Sequence, residues 1–257
     1  MAMTKEKPLI LVTNDDGIDS PGIYALAEVM KELGEVIVAA PDRQQSAIGH
    51  ALTVAQPLRT TKFKRNKMFG HAINGTPTDC VKFAISAILK HKPDLVISGI
   101  NHGQNTSVNI LYSGTVSAAT EGMLLKIPSI AISLASYDLN ADCSVAADYA
   151  KLIAKKLLGQ QLPKGTLLNV NVPALEKEKI KGIKITRHSN SYWDDFYEKR
   201  VDPFGRDYYW FSGKYKINDD TNEADDVAIK EGYVSVTPIH FDFTNYDELD
   251  NIKQILK

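Results

Sequence analysis

The chain has 257 residues, of which 44% are hydrophobic, and its formal net charge at pH 7 is -1. This length and apolar content suit one globular domain with a substantial core, or such a domain with an appended arm. The nearly balanced charge excludes a global basic field that would attract nucleic acid or an anionic membrane. Any nucleotide ligand must therefore be held by a local site.

Strand-like apolar runs alternate with segments of helical spacing over the first two thirds of the chain. The predicted strands are residues 9–13, 35–40, 95–98, 129–133 and 166–172, and the predicted helices are residues 21–33, 77–90, 115–125 and 142–158. Ser20 before Pro21, and Thr76 before Pro77 with Asp79 three residues after Thr76, are typical helix starts. The alternation predicts an α/β fold, a Rossmann-like layered domain with a mainly parallel sheet.

The character of the sequence changes after residue 184. Ten of the chain's 21 aromatic residues, including both tryptophans, lie between residues 191 and 215. Asp202-Pro203-Phe204-Gly205 has the residue order of a type I turn, which predicts a protruding β-hairpin with residues 208–211 on its return strand. We therefore divide the chain into an α/β catalytic core at residues 1–184 and a hairpin and C-terminal oligomerisation region at residues 185–257, which returns in part to the core.

The aromatic hairpin needs a surface that covers it, because an isolated two-stranded ribbon is only marginally stable in water. That surface belongs either to the chain's own domain or to another subunit. We expect at least a homodimer, in which residues 191–215 and the stretch after Gly232 reach a neighbouring subunit. Within that stretch, the sequence predicts a strand at residues 233–238 and a final helix near residues 246–252.

The cysteines and the apolar runs indicate the cellular compartment of the protein. Cys80 and Cys143 are too few for a disulfide framework or a cysteine zinc site, so both are expected to be buried thiols. Residues 1–7 lack the apolar segment of a signal peptide, and no stretch approaches the length of a transmembrane helix. We expect a cytoplasmic protein with no membrane contact and no stable nucleic-acid complex.

The most informative motif is Asn14-Asp15-Asp16-Gly17, directly after the first predicted strand. A strand that ends in two carboxylates and a glycine, followed by a helix start, delivers both acids to the tip of a sheet. Neighbouring side chains of a regular strand point to opposite faces, so Asp15 and Asp16 can share one cation only where the backbone bends. Gly17 permits that bend. Taken alone, the motif is also consistent with an ordinary Asp-Asp-Gly turn.

Two other predicted strands deliver oxygen donors to the same edge of the sheet, where ligands of open α/β sheets gather. Ser46 follows the second strand and Asn101 follows the third. Their neutral oxygens can join Asp15 and Asp16 in an all-oxygen shell, which suits magnesium or manganese better than zinc. Taken singly, Ser46 is equally typical of a loop or a cap, and Asn101 of a turn.

Residues 112–119 predict a helix start that binds phosphate without a Walker lysine. Backbone amides at a helix start bind anions, and small residues allow phosphate to approach closely. The same pattern is typical of an ordinary helix cap. The candidate phosphate-binding and substrate-binding residues are Asn14, His102, Gly103, Asn105, Ser113, Gly114 and Thr115.

Other polar residues leave their roles open. His102 and His50 can touch a phosphate oxygen or the leaving group, or can be ordinary loop histidines. Arg43 can meet phosphate or form an outward salt bridge. The acidic run at residues 219–226 lacks the spacing of a calcium loop, and we interpret it as a solvated loop leading into a helix.

Five ordered motifs resemble the SurE survival-protein family of nucleotidases. They are residues 12–17 (VTNDDG), 40–43 (APDR) with Ser46 and Gly49, 74–81 (NGTPTDCV), 98–103 (SGINHG) and 112–119 (YSGTVSAA), and the similarity extends to residues 231–238 (EGYVSVTP). The resemblance implies a metal-dependent phosphatase that releases phosphate from nucleoside monophosphates. It also implies metal ligation by Asp15, Asp16, Ser46 and Asn101. It further implies a homodimer or a homotetramer with a C-terminal exchange element, which fits the predicted strand at residues 233–238 and the final helix near residues 246–252.

The leading hypothesis is a phosphomonoesterase with one Mg²⁺ or Mn²⁺ ion per subunit that hydrolyses nucleoside 5′-monophosphates. The base preference, the activity on 3′-monophosphates and the activity on short polyphosphate stay open. Asp15 or Asp16 could also accept the proton of the attacking water, although a carboxylate bound to a cation is a poor base. One alternative is a phosphatase with an aspartyl nucleophile, which usually spaces its two aspartates by one residue. The other is a nucleotide or metal sensor without turnover.

Overall fold

A computed structural model describes residues 7–66, 68–160, 162–219 and 221–257. Its strands are β1 (Leu9–Thr13), β2 (Glu35–Pro41), β3 (Thr60–Arg65), β4 (Met68–Ile73), β5 (Leu95–His102), β6 (Ser129–Ala135), β7 (Thr166–Pro173), β8 (Ile183–Ile185), β9 (Tyr192–Val201), β10 (Asp207–Lys216) and β11 (Val234–His240). Its α-helices are α1 (Pro21–Met30), α2 (Pro77–Phe83), α3 (Gly114–Leu124), α4 (Ser144–Leu157), α5 (Asp225–Lys230) and α6 (Leu249–Ile255).

The main sheet is mostly parallel and is covered by helices on both faces, as the sequence predicts. Nine of the eleven described strands form one sheet in the order β3-β4-β2-β1-β5-β6-β7-β11-β8. The series from β4 to β7 is parallel, whereas β3 and β11 run antiparallel to β4 and β7. Helices α1 and α4 pack on one face, and α2 and α3 pack on the other. The predicted α/β Rossmann-like domain is confirmed.

The predicted helix starts are correct, and the main difference lies in the second helix. Thr76 caps α2 through a complete capping box with Asp79, and Ser20 caps α1. Residues 77–90 are predicted as one helix. In the structure, α2 ends at Phe83, and a π-helix follows it directly over Ala84–Ile88. Strand β3 is absent from the prediction because its exposed, charged side chains lack the apolar alternation of a half-buried strand.

The predicted hairpin is confirmed as a separate two-stranded sheet formed by β9 and β10. Asp207 pairs with Val201 at the tip, and Lys216 pairs with Tyr192 at the base. Its distal aromatic side chains are not covered by the chain's own domain, since Phe204 is 82% exposed. The chain's own domain therefore covers the base of the hairpin, where Trp193 and Tyr215 are half-buried, but not its distal part.

The stretch after Gly232 returns in part to the chain's own sheet. Residues 234–240 form β11, which pairs with β7 and β8 inside the main sheet. Val234 and Val236 are buried and complete the chain's own core, which is why this strand stays with its own domain. Only residues 241–257 project from the sheet, and their helix α6 contains no buried residue. The part of this stretch that leaves the sheet is therefore the segment at residues 241–257.

Candidate active site

The order of the strands places a crevice at the carboxyl ends of β1 and β5. After β1 the chain moves to β2 on one side, and after β5 it moves to β6 on the other, so neighbouring connections diverge above these two strands. Such a switch point is where open α/β sheets bind ligands. A cavity of about 360 Å³ lies there, and its walls include Asp15, Asp16, Ser46 and Asn101. The structure thus brings the four predicted metal-ligating residues to one cavity.

The backbone bend that lets both aspartates face this cavity is present. Gly17 has a φ of 95°, a left-handed conformation that glycine adopts without strain. The buried Asn14 supports the bend, because its Nδ2 donates hydrogen bonds to the Gly17 carbonyl oxygen at 3.0 Å and to the Ser20 hydroxyl at 2.8 Å. Asn14 is not among the residues that line the cavity. Its position fits a support for the bend better than the predicted contact with substrate.

Asp15 is the buried member of the pair. Its Oδ1 accepts a hydrogen bond from the Thr115 hydroxyl, and its carbonyl oxygen accepts one from the Gln45 backbone at 2.8 Å. Burial raises the pKa of Asp15 to about 7, and the nearby Asp16 charge adds to the increase, while the bond from Thr115 opposes it. A cation in the cavity would favour the ionised form of this carboxylate.

Asp16 is held from two sides. Its Oδ2 accepts a hydrogen bond from the His102 backbone at 3.4 Å and lies 3.5 Å from His102 Nδ1. The Gln44 Nε2 lies 3.5 Å from Asp16 Oδ1 and 2.9 Å from the Ser46 hydroxyl oxygen. One nitrogen donor therefore reaches both Asp16 and Ser46, which shows that their oxygens face a common point.

The donor set in this cavity fits a hard divalent cation. Asn101 Nδ2 donates to the Gly103 carbonyl oxygen at 2.7 Å, which leaves the Asn101 amide oxygen for a ligand. Within the described parts of the chain, no group of three or more histidine, cysteine, aspartate or glutamate side chains could hold a metal. A metal in this cavity would therefore depend on two carboxylates completed by neutral hydroxyl and amide oxygens, which favours Mg²⁺ or Mn²⁺ over Zn²⁺.

The start of α3 packs directly against Asp15. A Cβ atom at Gly114 would lie 2.7 Å from the Asp15 Cβ, so only glycine fits there without displacement. Ser113 lines the cavity, and its hydroxyl caps the helix by accepting from the Val116 backbone at 3.1 Å. The Thr115 hydroxyl is bonded to Asp15. Three of the candidate phosphate-binding residues lie at this helix start. Of these three, Ser113 lines the cavity, whereas Gly114 and Thr115 contact Asp15.

The end of β5 and the loop after it place His102, Gly103 and Asn105 in the cavity wall. The His102 ring is buried, with Nδ1 near Asp16 and Nε2 3.9 Å from the Cys143 sulfur. Both ring nitrogens thus face protein groups, so the ring orients Asp16. The Asn105 backbone is held by Asn171, whose side-chain oxygen accepts from the Asn105 N–H at 2.7 Å.

His50 and Arg43 lie outside the cavity. His50 Nε2 lies 3.0 Å from Glu121 Oε2, and Lys82 Nζ lies 2.7 Å from Glu121 Oε1. The hydrogen bond from His50, together with Lys82, lowers the pKa of the buried Glu121. His50 therefore ties the loop that carries Ser46 to α3, which fits the second of the two roles left open for it, that of a loop histidine. Arg43 is exposed.

An aromatic wall of the cavity was missed by sequence reasoning. Trp193, from the base of the hairpin, lines the cavity and donates from Nε1 to the Asn109 side-chain oxygen at 2.7 Å. Tyr137 also lines it, with its ring packed over Gly103. Tyr137 follows β6, whose carboxyl end meets the same edge, so the strand-end rule could have found it. Trp193 carries no such signal, because the sequence assigns its segment to assembly.

Both cysteines are free and buried, as predicted. The search for membrane spans, which covered only the described residues, found no helix long and apolar enough to cross a bilayer.

Comparisons with known proteins place the chain among proteins of one family. The family model described as survival protein SurE matches residues 10–195. A protein of Christiangramia forsetii named 5′-nucleotidase SurE is 51% identical over 245 residues, which cover 94% of each chain. A protein of the same name from Flavobacterium johnsoniae is 47% identical over 252 residues, which cover 97% of each chain.

A solved structure shows the same fold. The crystal structure of the SurE protein from Aquifex aeolicus superposes with a TM-score of 0.85 at 43% sequence identity. The match covers 97% of the present chain and 100% of the Aquifex chain. The family model, the near-complete sequence matches and the shared fold agree: this chain belongs to the SurE survival protein family.

Proposed function

We propose that this chain is a divalent-metal-dependent 5′-nucleotidase that hydrolyses nucleoside 5′-monophosphates to nucleoside and phosphate. Relatives named 5′-nucleotidase SurE match nearly the whole chain at 47% and 51% identity. The observation that carries the proposal is the pair of carboxylates, Asp15 and Asp16, facing one cavity together with Ser46 and Asn101. An acidic oxygen shell in a cavity at a sheet switch point suits metal-assisted phosphoryl transfer.

In this proposal, Asp15, Asp16, Ser46 and Asn101 hold one Mg²⁺ or Mn²⁺ ion. When bound, such an ion neutralises charge on the phosphoryl oxygens and lowers the pKa of a water ligand. Thr115 orients Asp15 through its hydroxyl, and the His102 backbone and ring orient Asp16. The start of α3, which reaches the cavity at Ser113, favours a phosphate group electrostatically.

The aromatic side of the cavity is suited to the nucleoside. The side chains of Trp193, Tyr137 and Tyr112 line it. Aromatic rings stack on nucleobases whatever the base, because every base presents a π-face. We therefore expect a broad base preference, which a panel of nucleotides measures directly.

Removal of the metal is expected to abolish turnover. After exhaustive treatment with a chelator, Mg²⁺ or Mn²⁺ should restore phosphate release better than Zn²⁺, because every proposed ligand atom is oxygen. The measurement is phosphate release from 5′-monophosphates, 3′-monophosphates and short polyphosphate across several divalent ions. Full activity in protein shown by elemental analysis to contain no metal would remove the metal from the proposal.

The same panel separates the enzyme from its alternatives. Nucleotide binding without release of phosphate from any substrate, at saturating metal, would favour a sensor. Trapping of a phosphorylated aspartate would favour an aspartyl nucleophile over direct attack by water.

We also propose that the chain assembles at least as a homodimer through the distal hairpin and residues 241–257. Tyr197 and Phe211 form an edge contact on the ribbon, yet they remain 68% and 63% exposed. Burial of one large aromatic side chain stabilises a complex by about 1.5 to 3 kcal/mol, so several of them on one ribbon favour association.

This assembly can be measured without disturbing the cavity. Residues 196–212 are replaced by a short Gly-Ser turn, which retains Trp193 and Tyr215 at the hairpin base. We expect the truncated chain to have a lower assembly state or lower solubility than the intact chain in light scattering. A monomer observed for the intact chain at micromolar concentration would refute the proposed assembly.

We place the enzyme in the cytoplasm. The support is that both cysteines are free thiols, which is typical of a reducing compartment.

A further inference from the structure

A buried carboxylate outside the proposed metal site connects the cavity loop to the hairpin. Asp225, the first residue of α5, has an exposed fraction of 0%. Its Oδ2 accepts a hydrogen bond from the Ser107 backbone at 3.0 Å, and its Oδ1 accepts one from the Ser189 backbone at 3.1 Å. Ser107 follows the cavity loop, and Ser189 leads into β9. One side chain thus joins two segments that are distant in sequence.

The interpretation of the acidic run as solvated is wrong at this position. Asp225 and Asp226 are both buried, because each carboxylate is satisfied by hydrogen bonds from the protein interior. Asp219 lies outside this pair and forms an ion pair with Arg187. Asp220, which belongs to the same run, lies outside the described residues.

Ser107 has a left-handed backbone conformation, which its hydrogen-bonding neighbours stabilise. Its φ is 51°, in the left-handed region that a non-glycine residue adopts at a cost in free energy. Its hydroxyl donates to the Ser189 carbonyl oxygen at 3.1 Å and also contacts the Ser191 carbonyl oxygen. The Asp225 carboxylate and the hairpin base therefore fix Ser107 through both its backbone and its side chain.

The segments that Asp225 joins form the nucleoside side of the cavity. Gln104 and Asn105 precede Ser107 and line the cavity, and Asn109 follows it and binds the Trp193 indole. The opposite hairpin strand is attached to the same helix start, since the Tyr215 hydroxyl donates to Asp226 Oδ2 at 3.0 Å. Displacement of Ser107 or Ser189 would therefore move the wall that carries Trp193.

We propose that Asp225 is a positioning residue that sets this wall for the nucleoside. The proposal rests on the nucleotidase function proposed above. Asp225 does not line the cavity itself and acts through Ser107 and Ser189. The carboxylate accepts from the backbone N–H groups of Ser107, Ser189 and Asp226. Asparagine has one acceptor oxygen where the carboxylate has two, so Ser107 or Ser189 loses its partner. Among the described residues, the Asp225 carboxylate forms no hydrogen bond with Asp15, with Asp16 or with the start of α3.

The test compares Asp225→Asn with the parent chain, using adenosine release from AMP and inhibition by inorganic phosphate. We expect the KM for AMP to rise by at least about fivefold, while kcat and the inhibition constant of phosphate stay within about twofold. Phosphate alone samples only the end of the cavity near the carboxylates. Asp148→Asn, which makes the same charge change in an exposed ion pair with Lys177, is the control and should behave as the parent. A merely structural role would lower kcat through loss of folded protein and leave KM unchanged.

A second variant keeps the proposal testable if Asp225→Asn does not fold. Ser107→Ala removes only the hydroxyl bonds to the hairpin base, and we expect a smaller rise of KM in the same direction. Parental KM values in every variant that folds would overturn the proposal.

A failure of the proposed function is distinguishable from a failure of this inference. If the parent chain releases no phosphate, AMP binding is followed by fluorescence of Trp193 in a Trp210→Phe background. Weaker AMP binding in Asp225→Asn or Ser107→Ala would then still support the positioning role, and equal binding in both would overturn it.

Discussion

Asp15→Asn and Asp16→Asn are each expected to lower the rate of phosphate release by about a hundredfold or more. Either change removes one of the two negative charges that face the cavity, so the proposed cation is held more weakly and is displaced from the substrate. Ser46 and Asn101 provide only neutral oxygens and cannot replace that charge. The measurement is kcat/KM for AMP across a range of metal concentrations.

The two variants should retain the fold. Burial raises the pKa of Asp15 to about 7, above its ordinary value of 3.8, so ionisation of Asp15 destabilises the metal-free protein as the pH rises between these values. Asparagine carries no charge, and Asp15→Asn should therefore unfold at the same or a higher temperature than the metal-free parent at pH 7.5. Loss of activity with retained stability separates a ligand from a structural residue.

Asp19→Asn is the matched control, because Asp19 lies in the same segment, is exposed and does not line the cavity. It should retain the parental rate. Rates within about threefold of the parent for both Asp15→Asn and Asp16→Asn, at saturating metal, would exclude the assigned site.

The parts of this site that sequence reasoning predicts are those governed by local rules. Asp15, Asp16, Ser46 and Asn101 follow strands of a parallel series, and the carboxyl ends of parallel strands meet at one edge. Their convergence on one cavity follows from the alternation of strands and helices together with this rule. Gly17 marks the bend because a left-handed backbone there favours glycine.

The parts that were missed depend on contacts between distant segments. Trp193 lies at the hairpin base, which is joined to the segment after β5 by hydrogen bonds of Asp225, Ser107 and Asn109. Nothing in the local pattern around Asp225 distinguishes a buried carboxylate from a solvated one. The local pattern around Val234 and Val236 likewise predicts a strand but does not say which strand it pairs with. That strand pairs with β7, where both valines are buried in the core.

The interpretation of the helix start at Ser113–Thr115 changes in a way that can be tested. The sequence predicts direct phosphate contacts, whereas the structure shows Thr115 bonded to Asp15. Thr115→Val keeps the shape of the side chain and removes this hydrogen bond, so we expect activity to fall by about tenfold or more through misorientation of the carboxylate. Thr120→Val, which makes the same change in α3 at a hydroxyl bonded to the Val116 carbonyl oxygen, should have little effect on activity.

Gly114→Val is expected to be the more damaging of the two changes in this helix start. A Cβ at this position would lie 2.7 Å from the Asp15 Cβ and 3.1 Å from Asp15 Oδ2, so the carboxylate or the helix must move. Because Pro77 Cγ lies 3.1 Å from the same Cβ position, α2 restricts movement of the helix and Asp15 is displaced instead. Activity should then fall by about a hundredfold, as in the aspartate variants. Unchanged turnover and unchanged inhibition by inorganic phosphate in both Gly114→Val and Thr115→Val would show that the start of α3 is only a helix cap.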